Sequence, residues 1–398
     1  MSQDFVAADL AAPQARADGV VPRFAVACHT ALEPAAKAWL ELERRGLSTP
    51  FQSRAWLAPW YARLAPRAGA TPVIVDVRDA RDGTPLLVWP LCLVREAGRL
   101  CLTEAGGDVS DYSAPLVART LGLLLASTPR ARHTLRRAIR AALPRADLVR
   151  LSRWPGEFGG MAGPLALTRA GWREGFSSWA VDLPDSVRAF RAGLDKSFAR
   201  ELERKARRLA SRGDVHFAEA VSLEDRRRVF ALLCEQRAAR FAERGRDDIL
   251  SEPAHRAFYA DVVLGDSGLA RLFSLTVGGE VVATMFCLQS PGALHLVMST
   301  ILEGAWKSSS PGLNSISALI DWSIAHGYRT LDFTIGDEAY KAQFGATRRP
   351  LYAGMDALSW RGFAAVARVR AKEAARPIVA ALPAPIAARV RSWAKGRA

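Results

Sequence analysis

The densest group of reactive side chains in this sequence is the run Gly336-Asp337-Glu338-Ala339-Tyr340-Lys341, with Asp332 just before it. A carboxylate here can take a proton from an attacking amine or hydroxyl, and a tyrosine hydroxyl can protonate a departing thiolate. Asp332, Asp337 and Glu338 rank together as bases. The same residues also have a plain reading. Asp337 can cap a short helix, Glu338 suits its first turn, and Tyr340 can pack on Phe344 one turn later. A second group lies upstream, Lys307-Ser308-Ser309-Ser310-Pro311-Gly312-Leu313-Asn314. A helix N-terminus points free amides and a positive dipole outward, so such a loop can hold a diphosphate. The serines add donors, Gly312 admits close backbone approach and Lys307 adds charge. Ser-Pro-Gly is also an ordinary helix start.

Both groups are positioned by one crossover. From Asn314, the residues Ile316, Leu319, Ile320 and Ile324 fall at three- and four-residue spacing, so a helix is expected, stopped by His326 and Gly327. The run YRTLDFTI then alternates, with Leu331, Phe333 and Ile335 on one side and Thr330, Asp332 and Thr334 on the other. Helix feeding into strand places ligands at the strand's carboxyl end, where the reactive run stands.

The flanking chain has two parts of matching order. In each, a meander of three strands is followed by a polar loop, a helix and a returning strand. The meanders are 71–78, 85–95 and 98–103, and 270–277, 281–289 and 294–301. Pro90 inside the second strand marks an edge or a bulge. The stripe Trp56, Leu57, Trp60, Tyr61 and Leu64 reads as core. The expected division is a disordered tail 1–22, a first domain 23–183, a second domain 184–360 that includes the basic helix 186–212, and a basic helical tail 361–398.

Composition narrows the class. The chain has 398 residues, 49% hydrophobic and 24% charged, as expected of a folded protein of two domains. Apolar runs end well short of a membrane span, and the first residues do not resemble a secretory signal. Five dispersed cysteines without a CxxC read as buried thiols in a reducing cytoplasm, and no metal-ligand spacing is present. The net charge of +15 fits an anionic substrate, a nucleic acid or a membrane surface. No zinc-finger or RNA-recognition motif supports sequence-specific nucleic-acid readout. Ser-His-Asp order, HExxH, the GxxxxGK[ST] phosphate loop and a GxGxxG fingerprint are all missing from the sequence.

The block FTIGDEAYKAQFGA resembles the signature DF-x-x-GDE-x-YK-x-x-[WF]-G of the cellulose-biosynthesis, or CelD-type, branch of the GNAT acyltransferase superfamily. SSSPG resembles that branch's SPG element. TPFQSRAWLAPW and GGDVSDYSAPL resemble its PF-x-S-x-W and SDY-x-x-P blocks. The resemblance spans most of 49–357. It implies an α/β fold of mixed sheets with two tandem GNAT-like domains, as in Fem-type aminoacyl transferases. It also implies acyl transfer from an acyl-CoA, acetyl or longer, to an amine or hydroxyl of a small-molecule or glycan-precursor acceptor in envelope or polysaccharide biosynthesis. The donor would lie on Lys307, Ser309, Ser310, Gly312 and Asn314. The acceptor would lie between the domains near Asp111, Tyr112, Asp332 and Lys341. The run YKAQFG is similar to the tyrosine element of ordinary GNAT enzymes, which makes Tyr340 the general-acid candidate. The usual Q/R-x-x-G-x-G/A loop is replaced here, as in Fem-type relatives that take aminoacyl-tRNA, so tRNA stands as the alternative donor. A scaffold without catalysis in a polysaccharide synthase assembly, with the basic tail as a contact or a peripheral membrane anchor, is the third expectation.

Overall fold

A computed structural model describes residues 23–158, 161–162 and 171–381. The segment 1–22 and the end of the basic tail, 382–398, lie outside the described residues. The first half comprises β1 (Phe24–His29), α1 (Ala36–Arg45), α2 (Arg54–Arg63), β2 (Thr71–Asp79), β3 (Pro85–Glu96), β4 (Arg99–Glu104), β5 (Leu116–Val117), α3 (Arg119–Ser127), α4 (Pro129–Ala142), β6 (Leu148–Pro155), the small hairpin β7 (Glu157–Phe158) and β8 (Met161–Ala162), and β9 (Gly171–Asp182). The second comprises α5 (Val187–Gly193), α6 (Lys196–Ala210), β10 (Val215–Glu219), α7 (Leu223–Glu243), α8 (Pro253–Leu264), β11 (Ala270–Val277), β12 (Glu280–Ser290), β13 (Ala293–Ile301), α9 (Pro311–Ala325), β14 (Thr330–Ile335), α10 (Ala339–Gln343), β15 (Thr347–Ala357) and α11 (Trp360–Ala381).

Both halves join one mixed sheet of thirteen strands in the order β1-β2-β3-β4-β6-β15-β9-β14-β13-β12-β11-β10, with β5 beside β3. Two neighbouring pairs run parallel: β4 with β6, and β13 with β14. Each closes a crossover through helices, α3–α4 in the first half and α9 in the second. The closing strands are exchanged. β9, from the first half of the chain, lies against β14, and β15, from the second, lies against β6. The two exchanged strands pair with each other at the centre.

Alternation decides which face each side chain joins. On β12, Phe286 and Leu288 enter a cluster with Trp39, Phe51, Trp56 and Phe258, beneath α1, α2, α7 and α8. Met285 and Cys287 turn to the other face and pack with Phe198, Leu319 and Ile320 beneath α6 and α9. The stripe on α2 is core, with Trp56, Leu57, Trp60, Tyr61 and Leu64 all buried. Asp195 caps α6, accepting from the amides of Ser197 (2.9 Å) and Phe198 (3.1 Å). Pro90 is not at an edge. It lies inside β3, paired with Ile74, where the second neighbour changes from β5 to β4, so its missing N–H falls at a break in that ladder. Among the strands of five residues or more, β9, β10 and β15 carried no readable signal of their own.

Candidate functional site

The central feature is a break in β14. Its parallel pairing with β13 covers only Ala293–His295 and Thr330–Asp332. The pairing with β9 is irregular between Asp332 and Ile335, and Thr334 there has φ 55°. A β-branched residue in the left-handed region is strained and persists only where its surroundings enforce it. Here the Thr334 amide donates to Asp332 Oδ1 at 2.7 Å, and its hydroxyl donates to the Leu296 carbonyl at 3.1 Å. The bulge thus fixes the carboxylate of Asp332, which is 6% exposed.

The first half builds the other side of this site. The Tyr112 hydroxyl donates to both oxygens of Asp332, at 2.8 and 2.9 Å. The loop that carries Tyr112 is held at several points. Gln52 Nε2 donates to the Tyr112 carbonyl (2.8 Å), and Trp56 Nε1 donates to Ser110 Oγ (2.9 Å). The loop turns at Gly106, φ 98°, where a Cβ would stand 2.0 Å from Ser110 Oγ. Phe51 packs edge-on against Tyr112 (5.7 Å) and His295 (6.4 Å). The N-terminal motif residues therefore serve a site whose carboxylate belongs to the second half.

Sequence reasoning missed His295. It is paired with Asp332 in the parallel ladder, is 6% exposed, and sets Nδ1 3.6 Å from Asp332 Oδ2. That spacing is too long for a hydrogen bond, and the buried Nδ1 has no partner among the described residues. Its Nε2 meets Ser290 Oγ at 3.0 Å. Burial lowers the His295 pKa more than Asp332 raises it, so the ring is neutral and can accept a proton. Burial, with the Asp332 charge behind it, lifts Tyr112 far above the ordinary phenol value. Asp111 is pushed up to about 6, chiefly by burial, against hydrogen bonding from Thr334 and the charge of Arg153. His295, Asp332 and Tyr112 line a cavity of about 760 Å³ between the halves, together with Arg348 and Arg349, which sequence reasoning also missed.

The strand tip is differently used. Asp337 does not cap α10; Glu338 holds the cap position without a side-chain bond. The Asp337 carboxylate accepts from Trp179 Nε1 (3.0 Å) and lies 3.5 Å from Arg348 Nε. Lys341 is 2% exposed, and its ammonium donates to the carbonyls of Phe333 (3.1 Å), Ile335 (3.2 Å) and Gly336 (3.0 Å), with Glu338 2.9 Å away. Its donors are spent on the end of β14. Tyr340 packs edge-on against Phe333 at 6.2 Å, on the face opposite to Asp332. Burial, then the Glu338 charge, raise its hydroxyl pKa against the pull of Arg240, so it stays protonated. Arg240 itself donates to the Ser299 carbonyl (3.3 Å), beside the gap that opens where β13 leaves β14.

The loop before α9 is a tight 3₁₀ turn over Gly304–Ser309, followed by Ser310 in the left-handed region and Pro311 at the first helical position. Asn314 Nδ2 donates to the carbonyls of Ser309 (3.2 Å) and Ser310 (3.1 Å), which fixes the loop. Arg212, from the end of the basic helix, lies 3.8 Å over the Trp306 ring and donates to the Ala305 carbonyl (2.6 Å) and to buried Ser309 Oγ (3.3 Å). Gly312 has room for a Cβ, with Ile301 Cγ2 at 3.4 Å. The Lys307 side chain lies outside the described residues. Among the described residues, no group of three or more His, Cys, Asp or Glu is placed to hold a metal ion.

Residues 196–342, from the start of α6 into α10, match the acetyltransferase (GNAT) domain family. Among solved structures, the fold is similar to FemX (TM-score 0.55, 10% identity, covering 83% of this chain and 96% of that one). It is also similar to the C-terminal domain of a protein assigned as a lysylphosphatidylglycerol synthetase from Agrobacterium fabrum (TM-score 0.50, 11% identity, 86% and 96%). A tandem GNAT protein from the clavulanic acid biosynthesis pathway aligns at TM-score 0.43 and 13% identity, over 85% and 99%. No curated protein matches the sequence. The architecture is one mixed α/β sheet, with the GNAT match in its second half.

Proposed function

We propose that this chain is an acyltransferase of the CelD-type branch, moving an acyl group from an acyl-CoA thioester to an amine or hydroxyl acceptor in envelope or polysaccharide biosynthesis. The observation that carries it is the cavity between the halves, floored by Asp332, Tyr112 and the unpartnered Nδ1 of His295. An acceptor N–H or O–H entering the cavity meets the Asp332 carboxylate, with His295 beside it. The Asp332–His295 pair takes its proton as it attacks the thioester carbonyl and can pass it on to the leaving thiolate, because Tyr340 stands across the sheet from Asp332. Positioning supplies most of the rate. Arg348 and Arg349 at the mouth favour an acceptor bearing negative charge, such as a glycan precursor carrying phosphate. The donor's diphosphate rests on the amides that open α9, beside Ile301. Ile301 stands six residue steps along β13 from His295, roughly 20 Å of extended strand, a span comparable with a pantetheine arm.

A second reading, aminoacyl transfer from tRNA, is favoured by one feature. The exposed face of α6 carries Arg200, Arg204, Arg207 and Arg208, and α6 packs on the donor loop. The test is a thermal-shift and calorimetric series of acyl-CoAs of increasing chain length, with charged and uncharged tRNA alongside. Saturable stabilisation by an acyl-CoA is expected. A salt-sensitive shift with charged tRNA and no coenzyme A binding selects the second reading and overturns the first.

A further inference from the structure

Far from the cavity, the far end of β15 leads into a cationic surface that the transfer chemistry does not use. A hollow of about 500 Å³ is lined by Arg95, Arg140, Arg145 and Arg361. None of these four forms an ion pair among the described residues. The one carboxylate in its lining, Asp147, accepts from the Ser359 hydroxyl (2.6 Å) and the Leu100 amide (2.9 Å). A second, shallower hollow of about 430 Å³ shares Arg140, Leu358 and Ser359 with it and is walled by Trp360 and Phe363. Trp360 is 84% exposed and Phe363 68%, the aromatic side chains left in solvent among the described residues.

Their outward presentation is fixed by packing. A Cβ on Gly362 would stand 1.8 Å from the Asp147 carbonyl oxygen, so the first turn of α11 is pressed onto the start of β6. Val366, on the inward side of the same helix, is buried. Trp360 and Phe363 flank that contact and point away from it. Two exposed aromatics cost free energy in water and gain it at a lipid interface, where an indole or phenyl ring sits among headgroups. Arginine matches phosphate with a planar fork, and each basic side chain near an anionic leaflet adds to the attraction. The positive end of α11 adds to the same field.

We propose that Trp360, Phe363 and the surrounding arginines dock the protein on an anionic phospholipid bilayer. The aromatic rings insert at the headgroup level and lipid phosphates occupy the arginine-lined hollow. About nine residues of β15 separate this surface from Arg348 and Arg349, roughly 30 Å, so docking leaves the cavity mouth uncovered. The proposal stands whether the donor is an acyl-CoA or a tRNA.

The test is co-sedimentation of the full chain with large unilamellar vesicles of phosphatidylglycerol and phosphatidylcholine, against phosphatidylcholine alone. Binding at least about tenfold stronger to the anionic vesicles is expected, weakening as salt is raised. Trp360→Ser with Phe363→Ser, and separately Arg95→Ser with Arg145→Ser, should each cut it about tenfold or more with the melting curve unchanged, since all four side chains are exposed. Equal binding to both vesicles, binding that survives in the aromatic variant, or loss of binding only through unfolding overturns the proposal. So does a patch that binds RNA through the same residues and leaves vesicles alone.

Discussion

In the first half, β4 and β6 run parallel over Cys101–Thr103 and Leu148–Arg150, then part; in the second, β13 and β14 do the same over Ala293–His295 and Thr330–Asp332. A left-handed residue follows each pairing, Arg153 in one and Thr334 in the other. The openings are filled differently. In the first, the buried Glu104 carboxylate accepts from the Ser152 amide (3.1 Å) and the Trp154 indole, and burial lifts its pKa far above the ordinary range. Trp89 stands edge-on to Trp154 at 6.0 Å and completes the plug. In the second, the opening is faced by Asp332, a carboxylate carried on the other strand of the pair, beside an open cavity. The difference teaches that one architecture used twice yields one reactive centre: the plugged half gives up its own opening and lends its loop, through Tyr112, to the other.

The sharpest way to break this contrast is to treat the two carboxylates alike. Asp332→Asn should lower transfer at least about a hundredfold with the fold retained, read as kcat/KM beside a melting curve. Full activity would remove Asp332 from the chemistry. Lys341→Met should cost about 3 kcal/mol in denaturant unfolding, because it strips donors from three carbonyls at the end of β14. A near-neutral result would mean that the strand end keeps its shape without the ammonium.

Asp111 offers a test in pH. Its pKa rises from the ordinary 3.8 to about 6 in the fold, so the native state holds a proton that the unfolded chain releases earlier. Stability from this group is full below about pH 4 and is lost as pH rises through 6. Unfolding midpoints measured from pH 4 to 7 should fall along that slope, and Asp111→Asn should flatten it. The smallest effect belongs to the plugged half. Glu104→Gln should leave transfer unchanged and cost about 1–2 kcal/mol at neutral pH, since a neutral side chain suits that pocket but its Nε2 cannot accept from the Ser152 amide or the Trp154 indole. A large loss of activity there would dissolve the distinction between the halves.

Much of this was legible because the signals are local. The period of Ile316, Leu319, Ile320 and Ile324 and the alternation around Asp332 specify the second crossover from short stretches, and the helix stop at His326 appears as a ring nitrogen 2.8 Å from the Trp322 carbonyl. The missing parts depend on distant partners. The strand β9 is mixed in character because it is held between β14 and β15, and β15 gains meaning only beside β6, some two hundred residues earlier. His295 read as one more residue of an apolar strand; only the parallel register places it against Asp332. Arg348 and Arg349 carry no pattern at all, and the burial of Lys341 could not be inferred from a residue type that is almost always solvated.

The exchange of closing strands has a further consequence, in how the chain is made. While the ribosome is still translating the second half, β6 has no neighbour on one side, because β15 has not yet emerged. An open strand edge of that kind invites pairing with other chains. The earlier half must therefore wait, unfinished and in need of shielding, until β15 has been synthesised. Severed near residue 183, it would keep that raw border and gather into aggregates instead of settling as a free-standing unit.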